Sequence, residues 1–130
     1  MMKQTIHDIQ THPEIAFVRV DYNVPLDRTT NEIIDDSRIA ATVPTIRCLQ
    51  QLGIKVVLCS HLGRPKGQVV PSLTMSQVAH RLEVMLSEPI KVLTSFDGSL
   101  IRDEVKALDA KSIAMLENIR FRPEEEANDP

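Results

Sequence analysis

The sequence predicts an α/β domain in which helices cover both faces of a mostly parallel β-sheet. Four short apolar runs are typical of buried strands, and they occupy residues 15–20, 54–60, 90–93 and 113–116. The segments between them carry apolar residues three or four positions apart, which is the period of an amphipathic helix. Strands that alternate with helices favour right-handed crossovers and a parallel sheet in three layers.

Composition limits the classes of partner. The 130 residues are enough for one domain, and they include no Trp, one Tyr and three Phe. A net charge of −3 argues against a nonspecific nucleic-acid or membrane-surface binder, which would be basic. No apolar run approaches the roughly 18 residues of a membrane span, and residues 1–11 lack the apolar core of a signal peptide. We therefore expect a cytoplasmic protein without nucleic-acid or membrane partners.

The first strand ends in Asp21-Tyr22-Asn23-Val24-Pro25, and Pro25 cannot donate to a strand ladder. The carboxylate and the amide of this segment fit either a ligand site or an Asx turn in which they bond their own backbone. Both interpretations stay open at this point. The polar loop over residues 27–37 is long for so small a domain, which favours a functional role.

The first helix is predicted from Arg38 to the stop at Gly53, because apolar residues recur at Ile39, Val43, Ile46, Leu49 and Leu52. Pro44 interrupts this pattern, since it disfavours a helical residue before it and removes one amide donor. The helix is therefore either kinked at Pro44 or begins nearer Thr42. Arg38 then points toward the carboxyl edge of the sheet or out to water.

The second strand leads directly into His61-Leu62-Gly63-Arg64-Pro65-Lys66-Gly67. Ligands of open parallel sheets collect outside the carboxyl ends of the strands, so His61 and Arg64 on this loop indicate an anion site. The alternative is a solvated loop whose charges have no function.

The second helix is predicted to begin with a capping box at Thr74–Gln77, with Leu73 as its hydrophobic staple, and to run to Leu86 before Pro89. A third helix is predicted over residues 97–108 from the spacing of Ile101, Val105 and Leu108.

The fourth strand is followed by Glu117-Asn118-Ile119-Arg120-Phe121, which places another basic residue after a strand end. The acidic run at 124–126 is typical of a solvated helix start.

Two common phosphate-binding patterns, G-x-x-x-x-G-K-[ST] and G-x-G-x-x-G, are absent from the sequence. Cys48 and Cys59 are predicted to be reduced core thiols, and no Cys/His cluster has the spacing of a metal site. Any anion is therefore expected to be held by side chains.

Four motifs of the sequence closely resemble phosphoglycerate kinase, in order and with fitting spacing from about residue 15 to the last residue. They are Arg19-Val20-Asp21-Tyr22-Asn23-Val24-Pro25, Asp35-Asp36-Ser37-Arg38-Ile39, Ser60-His61-Leu62-Gly63-Arg64-Pro65-Lys66-Gly67 and Leu116-Glu117-Asn118-Ile119-Arg120-Phe121. The match continues into Pro123-Glu124-Glu125-Glu126 and Asn128-Asp129-Pro130.

The resemblance implies phosphoryl transfer between ATP and the carboxylate of 3-phosphoglycerate, which yields ADP and 1,3-bisphosphoglycerate. It implies that Asp21 and Asn23 hold the hydroxyl and carboxylate end of the substrate and that Arg38 is the catalytic residue beside the transferring group. The 3-phosphate would be gripped by His61, Arg64 and Arg120. The implied substrate-binding set also includes Arg38, Tyr22, Leu62 and Gly63, with Tyr22 standing where the family often has Phe.

The resemblance further implies that residues 1–130 form part of the Rossmann-like N-terminal, substrate-binding domain of a two-domain kinase whose full-length members are typically monomeric. The C-terminal domain, which would bind ATP or ADP with Mg²⁺, is absent, so we expect no activity from this chain alone.

A stand-alone module that binds a phospho-metabolite without catalysis is the alternative. A hydrolase based on Asp21 and His61 is disfavoured, because no nucleophile is evident.

Overall fold

The structure is a computed structural model that describes residues 14–121. Its centre is a sheet of four parallel strands in the order β1-β2-β4-β3. The strands are β1 (Ile15–Arg19), β2 (Lys55–Cys59), β3 (Ile90–Leu93) and β4 (Ile113–Leu116). The predicted parallel α/β sheet is therefore confirmed, and each strand begins and ends within one residue of its predicted run.

Helices cover both faces of the sheet, as predicted. They are α1 (Ser37–Ala40), α2 (Val43–Gln51), α3 (Ser76–Leu86) and α4 (Gly98–Lys106). Alternate residues of β2 point to opposite faces, so Val56 and Leu58 join the larger core with α2 and α3, whereas Val57 packs with Val105 of α4.

The helix predicted from Arg38 is two helices. The chain leaves α1 after Ala40 and enters α2 at Val43, so Pro44 lies in the first turn of α2. An amide donor is not needed there, because the first N–H groups of a helix have no partner within it. The expectation of a helix that begins nearer Thr42 is confirmed, and Arg38 belongs to a separate single turn.

The predicted capping box of the second helix is wrong. Met75, not Thr74, is the N-cap residue of α3, and no side chain of this segment caps the helix. The backbone N–H of Met75 instead donates to Oε1 of Glu117 at 2.7 Å, and the Gln77 amide donates to the carbonyl of Asn31 at 2.7 Å. A carboxylate distant in sequence has taken the place of the local cap.

Other expectations have mixed outcomes. Cys48 and Cys59 are not joined in a disulfide, but both are half-buried rather than fully enclosed in the core. None of the helices within residues 14–121 is long and apolar enough to cross a membrane. The helix start predicted at 124–126 lies outside the described residues.

Candidate functional site

The loops that follow β1, β2 and β4 meet at one edge of the sheet, because these parallel strands are neighbours. Ser60, at the end of β2, joins the three loops. Its hydroxyl oxygen accepts the N–H of Tyr22 at 2.9 Å, and its carbonyl accepts the N–H of Ile119 at 3.2 Å. The candidate site is therefore built on a hydrogen-bonded carboxyl edge.

Arg38 lies against the loop after β1. Its Nη1 atom is 3.2 Å from Oδ1 of Asp21 and 2.8 Å from the backbone oxygen of Asn23. The side chains of Arg38 and Asp21 are 53% and 67% exposed, and ion pairs so open to water contribute about 0 to 1 kcal/mol. The guanidinium is thus held in place weakly enough for an anionic ligand to compete.

Of the two interpretations that the sequence left open for this segment, the structure shows the Asx turn, and the ligand site stays a prediction. Oδ1 of Asp21 accepts the N–H of Asn23 at 3.3 Å, which is an Asx turn. Oδ1 of Asn23 instead reaches the second loop and accepts the N–H of Gly63 at 2.9 Å. The segment therefore caps its own backbone through Asp21 and holds the loop after β2 through Asn23.

A cleft of 440 Å³ opens beside Arg38. Its lining comprises Asn23, Val24, Pro25, Asp35, Ser37 and Arg38. The Asp35 carboxylate on its wall accepts the N–H of Ser37 at 2.9 Å, and this hydrogen bond lowers the pKa of Asp35 below its ordinary value. The cleft is open to water and is large enough for a small metabolite.

The loop at His61–Gly67 is shaped by a close contact at Gly63. Gly63 has φ +63°, and a Cβ atom at this position would lie 2.8 Å from Cδ2 of Leu73. Any other residue would therefore be strained and would displace Leu73. His61 is half-buried, and Arg64 is exposed without a hydrogen bond or ion pair to any described residue.

Arg120 is half-buried and bonds to the same loop through its backbone, because its carbonyl accepts the N–H of Gly67 at 3.1 Å. Its side-chain Nε atom is buried and has no hydrogen-bond partner within residues 14–121. A buried donor in this state carries a desolvation penalty, which an acceptor would relieve.

Tyr22 and Leu62 were expected in the substrate-binding set, and their side chains lie in the core with 0% and 1% exposure. The Tyr22 hydroxyl donates to Oγ1 of Thr42, which in turn donates to the carbonyl of Ile39. Burial raises the pKa of Tyr22 to about 12. Their side chains pack in the core and so fix the neighbouring backbone, and they are not presented at the surface.

Contacts link most of the predicted site residues. Asp21, Asn23, Arg38 and Gly63 form one connected set, and Arg120 is tied to the far end of the same loop at Gly67. The guanidinium of Arg64 forms no hydrogen bond or ion pair with them within the described segment.

Three buried polar residues at this edge were given no role by the sequence analysis: Ser60, Glu117 and Asn118. Ser60 and Glu117 each come directly after a buried strand, and Asn118 follows Glu117. This position in the sequence is the only local signal. Their side chains also bond to segments that lie 38 to 56 residues away in sequence, and no local pattern could reveal those contacts.

The arrangement is suited to bind an anion by charge and hydrogen bonds. Arg38, Arg64 and Arg120 offer planar donor groups that match carboxylate and phosphate oxygens. Among the described residues, no three His, Cys, Asp or Glu side chains are grouped so that they could hold a metal ion.

The sequence is similar to those of known proteins. The family model described as phosphoglycerate kinase matches residues 6–130. A phosphoglycerate kinase of Chlorobaculum tepidum is 45% identical over the whole chain, and one of Rippkaea orientalis is 50% identical over 88% of it. The chain spans 32% and 28% of the lengths of these two relatives.

Solved structures agree with the fold. The crystal structure of phosphoglycerate kinase from Pyrococcus horikoshii superposes with a TM-score of 0.79 at 34% identity, over 92% of this chain and 28% of that one. The structure from Coxiella burnetii gives a TM-score of 0.73 at 26% identity, over 89% of this chain and 28% of that one. From the family match, with the relatives and structures in agreement, we conclude that this chain belongs to the phosphoglycerate kinase family.

Proposed function

We propose that this chain supplies the 3-phosphoglycerate site of a phosphoglycerate kinase. The complete enzyme would transfer a phosphoryl group between ATP and the carboxylate of 3-phosphoglycerate, giving ADP and 1,3-bisphosphoglycerate. The observation that carries the proposal is the placement of Arg38, whose exposed guanidinium is shared between Asp21 and Asn23 on the carboxyl edge.

In this proposal the two ends of the substrate have different partners. Asp21 and Asn23 would hold the hydroxyl and carboxylate end, while His61, Arg64 and Arg120 would hold the 3-phosphate. The exposed guanidinium of Arg64 and the buried Nε of Arg120, neither of which has a bonding partner among residues 14–121, support the second assignment. Tyr22, Leu62 and Gly63 would shape the backbone around them.

Catalysis would come from alignment and charge, since the attacking carboxylate is already ionised and needs no general base. Arg38 would meet the charge that develops on the transferring phosphoryl group. A permanently charged planar group in this role accelerates phosphoryl transfer by roughly 10³ to 10⁵ in other enzymes.

ATP or ADP with Mg²⁺ would bind outside this chain. The described residues include no acidic cluster that could hold the metal, and Asp21 and Asp35 are engaged by Arg38 and by the Ser37 amide. The chain alone would then bind substrate without turnover, and we expect it in the cytoplasm.

The test combines heat denaturation with a coupled ATP assay on the 130-residue chain. We expect 3-phosphoglycerate at a hundredfold excess over its Kd to stabilise the fold by about 2.7 kcal/mol, and we expect no ATP-dependent turnover. Absence of any stabilisation would contradict the site, and clear turnover would contradict a nucleotide site outside the chain.

A stand-alone module that binds phospho-metabolites for another purpose predicts the same binding without turnover, so the reading frame beyond Pro130 distinguishes the two functions. For that alternative, the gene would have to end at Pro130 and the chain would still have to bind 3-phosphoglycerate. A reading frame that continues into a second domain would exclude it.

A further inference from the structure

Asn118 is the buried centre of the candidate anion site. Its side chain is fully enclosed, with 0% exposure, and it follows β4 by two residues. Nδ2 donates to the carbonyls of Leu62 at 2.8 Å and Leu73 at 2.9 Å, while Oδ1 accepts the N–H of Arg120 at 3.1 Å. Both amide hydrogens are therefore used, and the orientation of the amide is fixed because its two ends face opposite partners.

The three partners of Asn118 belong to three different segments. Leu62 lies between His61 and Gly63 on the loop after β2, Leu73 ends the turn before α3, and Arg120 lies on the loop after β4. The side chain of Leu73 also packs against Gly63. One amide thus joins the backbones that carry His61, Arg64 and Arg120.

Glu117 strengthens the same junction. Glu117 is 8% exposed. Its Oε1 atom accepts the N–H groups of Met75 at 2.7 Å and of Asn118 itself at 2.8 Å. The start of α3 and the backbone of Asn118 are therefore held by one acceptor.

We infer that Asn118 is a positioning residue for phosphate recognition: it sets the distance between the His61–Arg64 loop and Arg120 without touching the ligand. This inference rests on the proposed phosphate-binding function. A fully buried amide with saturated donors is unable to bind a ligand itself, so its effect must pass through the backbones that it joins.

Asn118→Asp is the sharpest variant, because it keeps the shape of the side chain and the acceptor for Arg120. It replaces the donor toward Leu62 and Leu73 with an oxygen that faces two carbonyl oxygens. Protonation of the new carboxyl would restore one donor, so its effect should depend on pH.

Gln50→Glu is a matched control at the opposite end of the sheet. The Gln50 amide is 7% exposed, and its Nε2 donates to Oε2 of Glu88 at 2.7 Å and to the carbonyl of Lys111 at 2.9 Å. The substitution removes the same kind of buried donor far from the candidate site.

Titration calorimetry with inorganic phosphate and with 3-phosphoglycerate measures the consequence on the full chain. We expect Asn118→Asp to weaken the binding of both ligands about tenfold at mildly alkaline pH. Relative to wild type, the loss should shrink as the pH falls, and Gln50→Glu should bind as wild type does. Equal affinities for wild type and Asn118→Asp, or an equal loss in the Gln50 variant, would overturn the inference.

Amide hydrogen exchange without ligand decides the inference separately from the proposed function. In Asn118→Asp we expect faster exchange at Gly63, Gly67 and Arg120 than in wild type, with β2 amides unchanged. If the wild-type chain binds no phosphate, the proposed function fails, but this exchange pattern still supports the junction. Unchanged exchange at these three amides would overturn it.

If Asn118→Asp does not fold, Asn118→Ser replaces it in both measurements. Its shorter hydroxyl can donate to only one carbonyl, so we expect smaller changes in the same direction. A folded Ser variant with wild-type affinity and exchange would equally overturn the inference.

Discussion

At the scale of single residues, Arg38 contributes little to stability and is available to bind a ligand. Its contacts with Asp21 and Asn23 lie at the surface, where water competes for every charge. The same exposure leaves the guanidinium available to a substrate carboxylate or to a transferring phosphoryl group. A residue that matters for chemistry can therefore be almost neutral for folding.

Arg38→Ala should change the free energy of unfolding by less than about 1 kcal/mol, since the ion pair and the hydrogen bond that Arg38 makes among the described residues lie at the surface. The stabilisation of the chain by 3-phosphoglycerate should weaken, because one cation beside the substrate carboxylate is lost while the proposed phosphate-holding residues remain. Urea denaturation with and without the ligand measures both quantities. A variant that is strongly destabilised, or that responds to the ligand as wild type does, contradicts the role assigned to Arg38.

Tyr22 offers a pH test, because it is the one tyrosine of the chain and the chain has no Trp. Burial raises its pKa from 10.0 to about 12, so the folded state keeps the proton that the unfolded state loses in this range. The resulting contribution to stability is complete below pH 10 and is lost as the pH rises toward 12.

Tyrosinate absorbance should therefore titrate near pH 12 in the folded chain and near pH 10 in urea. At alkaline pH, Tyr22→Phe should be destabilised less than wild type, by about 2 to 3 kcal/mol, because it lacks the hydroxyl that ionises on unfolding. At neutral pH it should cost about 1 kcal/mol through the lost bond to Thr42. A midpoint near 10 in the folded chain would show that the ring is accessible to water.

At the scale of elements, the helix starts show where local sequence decides and where it does not. Asp97 caps α4 through its own carboxylate, which accepts the N–H groups of Ser99 at 2.8 Å and Leu100 at 3.4 Å. The similar pattern at Thr74 forms no side-chain cap, and the Met75 amide at this helix start donates to Glu117 from the end of β4. The two sites form a natural pair for comparison.

Asp97→Ala should destabilise the chain by about 1 kcal/mol, the usual cost of a lost N-cap. Thr74→Ala should cost clearly less, since the Thr74 side chain caps no helix. Denaturant unfolding of the two variants measures the difference. An equal or larger loss at Thr74 would mean that the predicted capping box forms after all.

At the scale of the whole molecule, hydrophobic patterning predicted the four strands because they share one sheet between helices, which buries most of β2 and β4 and part of the edge strand β1. Pro44 predicted the break before α2, since its effect on the backbone is local. The strand order could not be predicted in this way, because which strands become neighbours depends on crossovers rather than on local residues.

The candidate site was predictable to a similar degree. His61, Arg64 and Arg120 stood out as charges after apolar strands, and the resemblance to a family supplied their expected roles. Asn118 and Glu117 did not stand out, because their importance lies in contacts with residues distant in sequence. Polar residues whose sequence context is that of an ordinary loop thus hold the edge of the sheet together.

The central claim is that this chain binds the phosphate of 3-phosphoglycerate through the cations at the carboxyl edge. Titration calorimetry with 3-phosphoglycerate tests it most directly, with glycerate as the ligand that lacks the phosphate. Arg64→Ala removes an exposed cation of the site, and Arg102→Ala removes an exposed cation of α4 as a control. We predict saturable binding of 3-phosphoglycerate that is much weaker for glycerate and for Arg64→Ala, and is unchanged for Arg102→Ala. A folded chain that shows no saturable binding, or that binds both ligands equally, would contradict the claim.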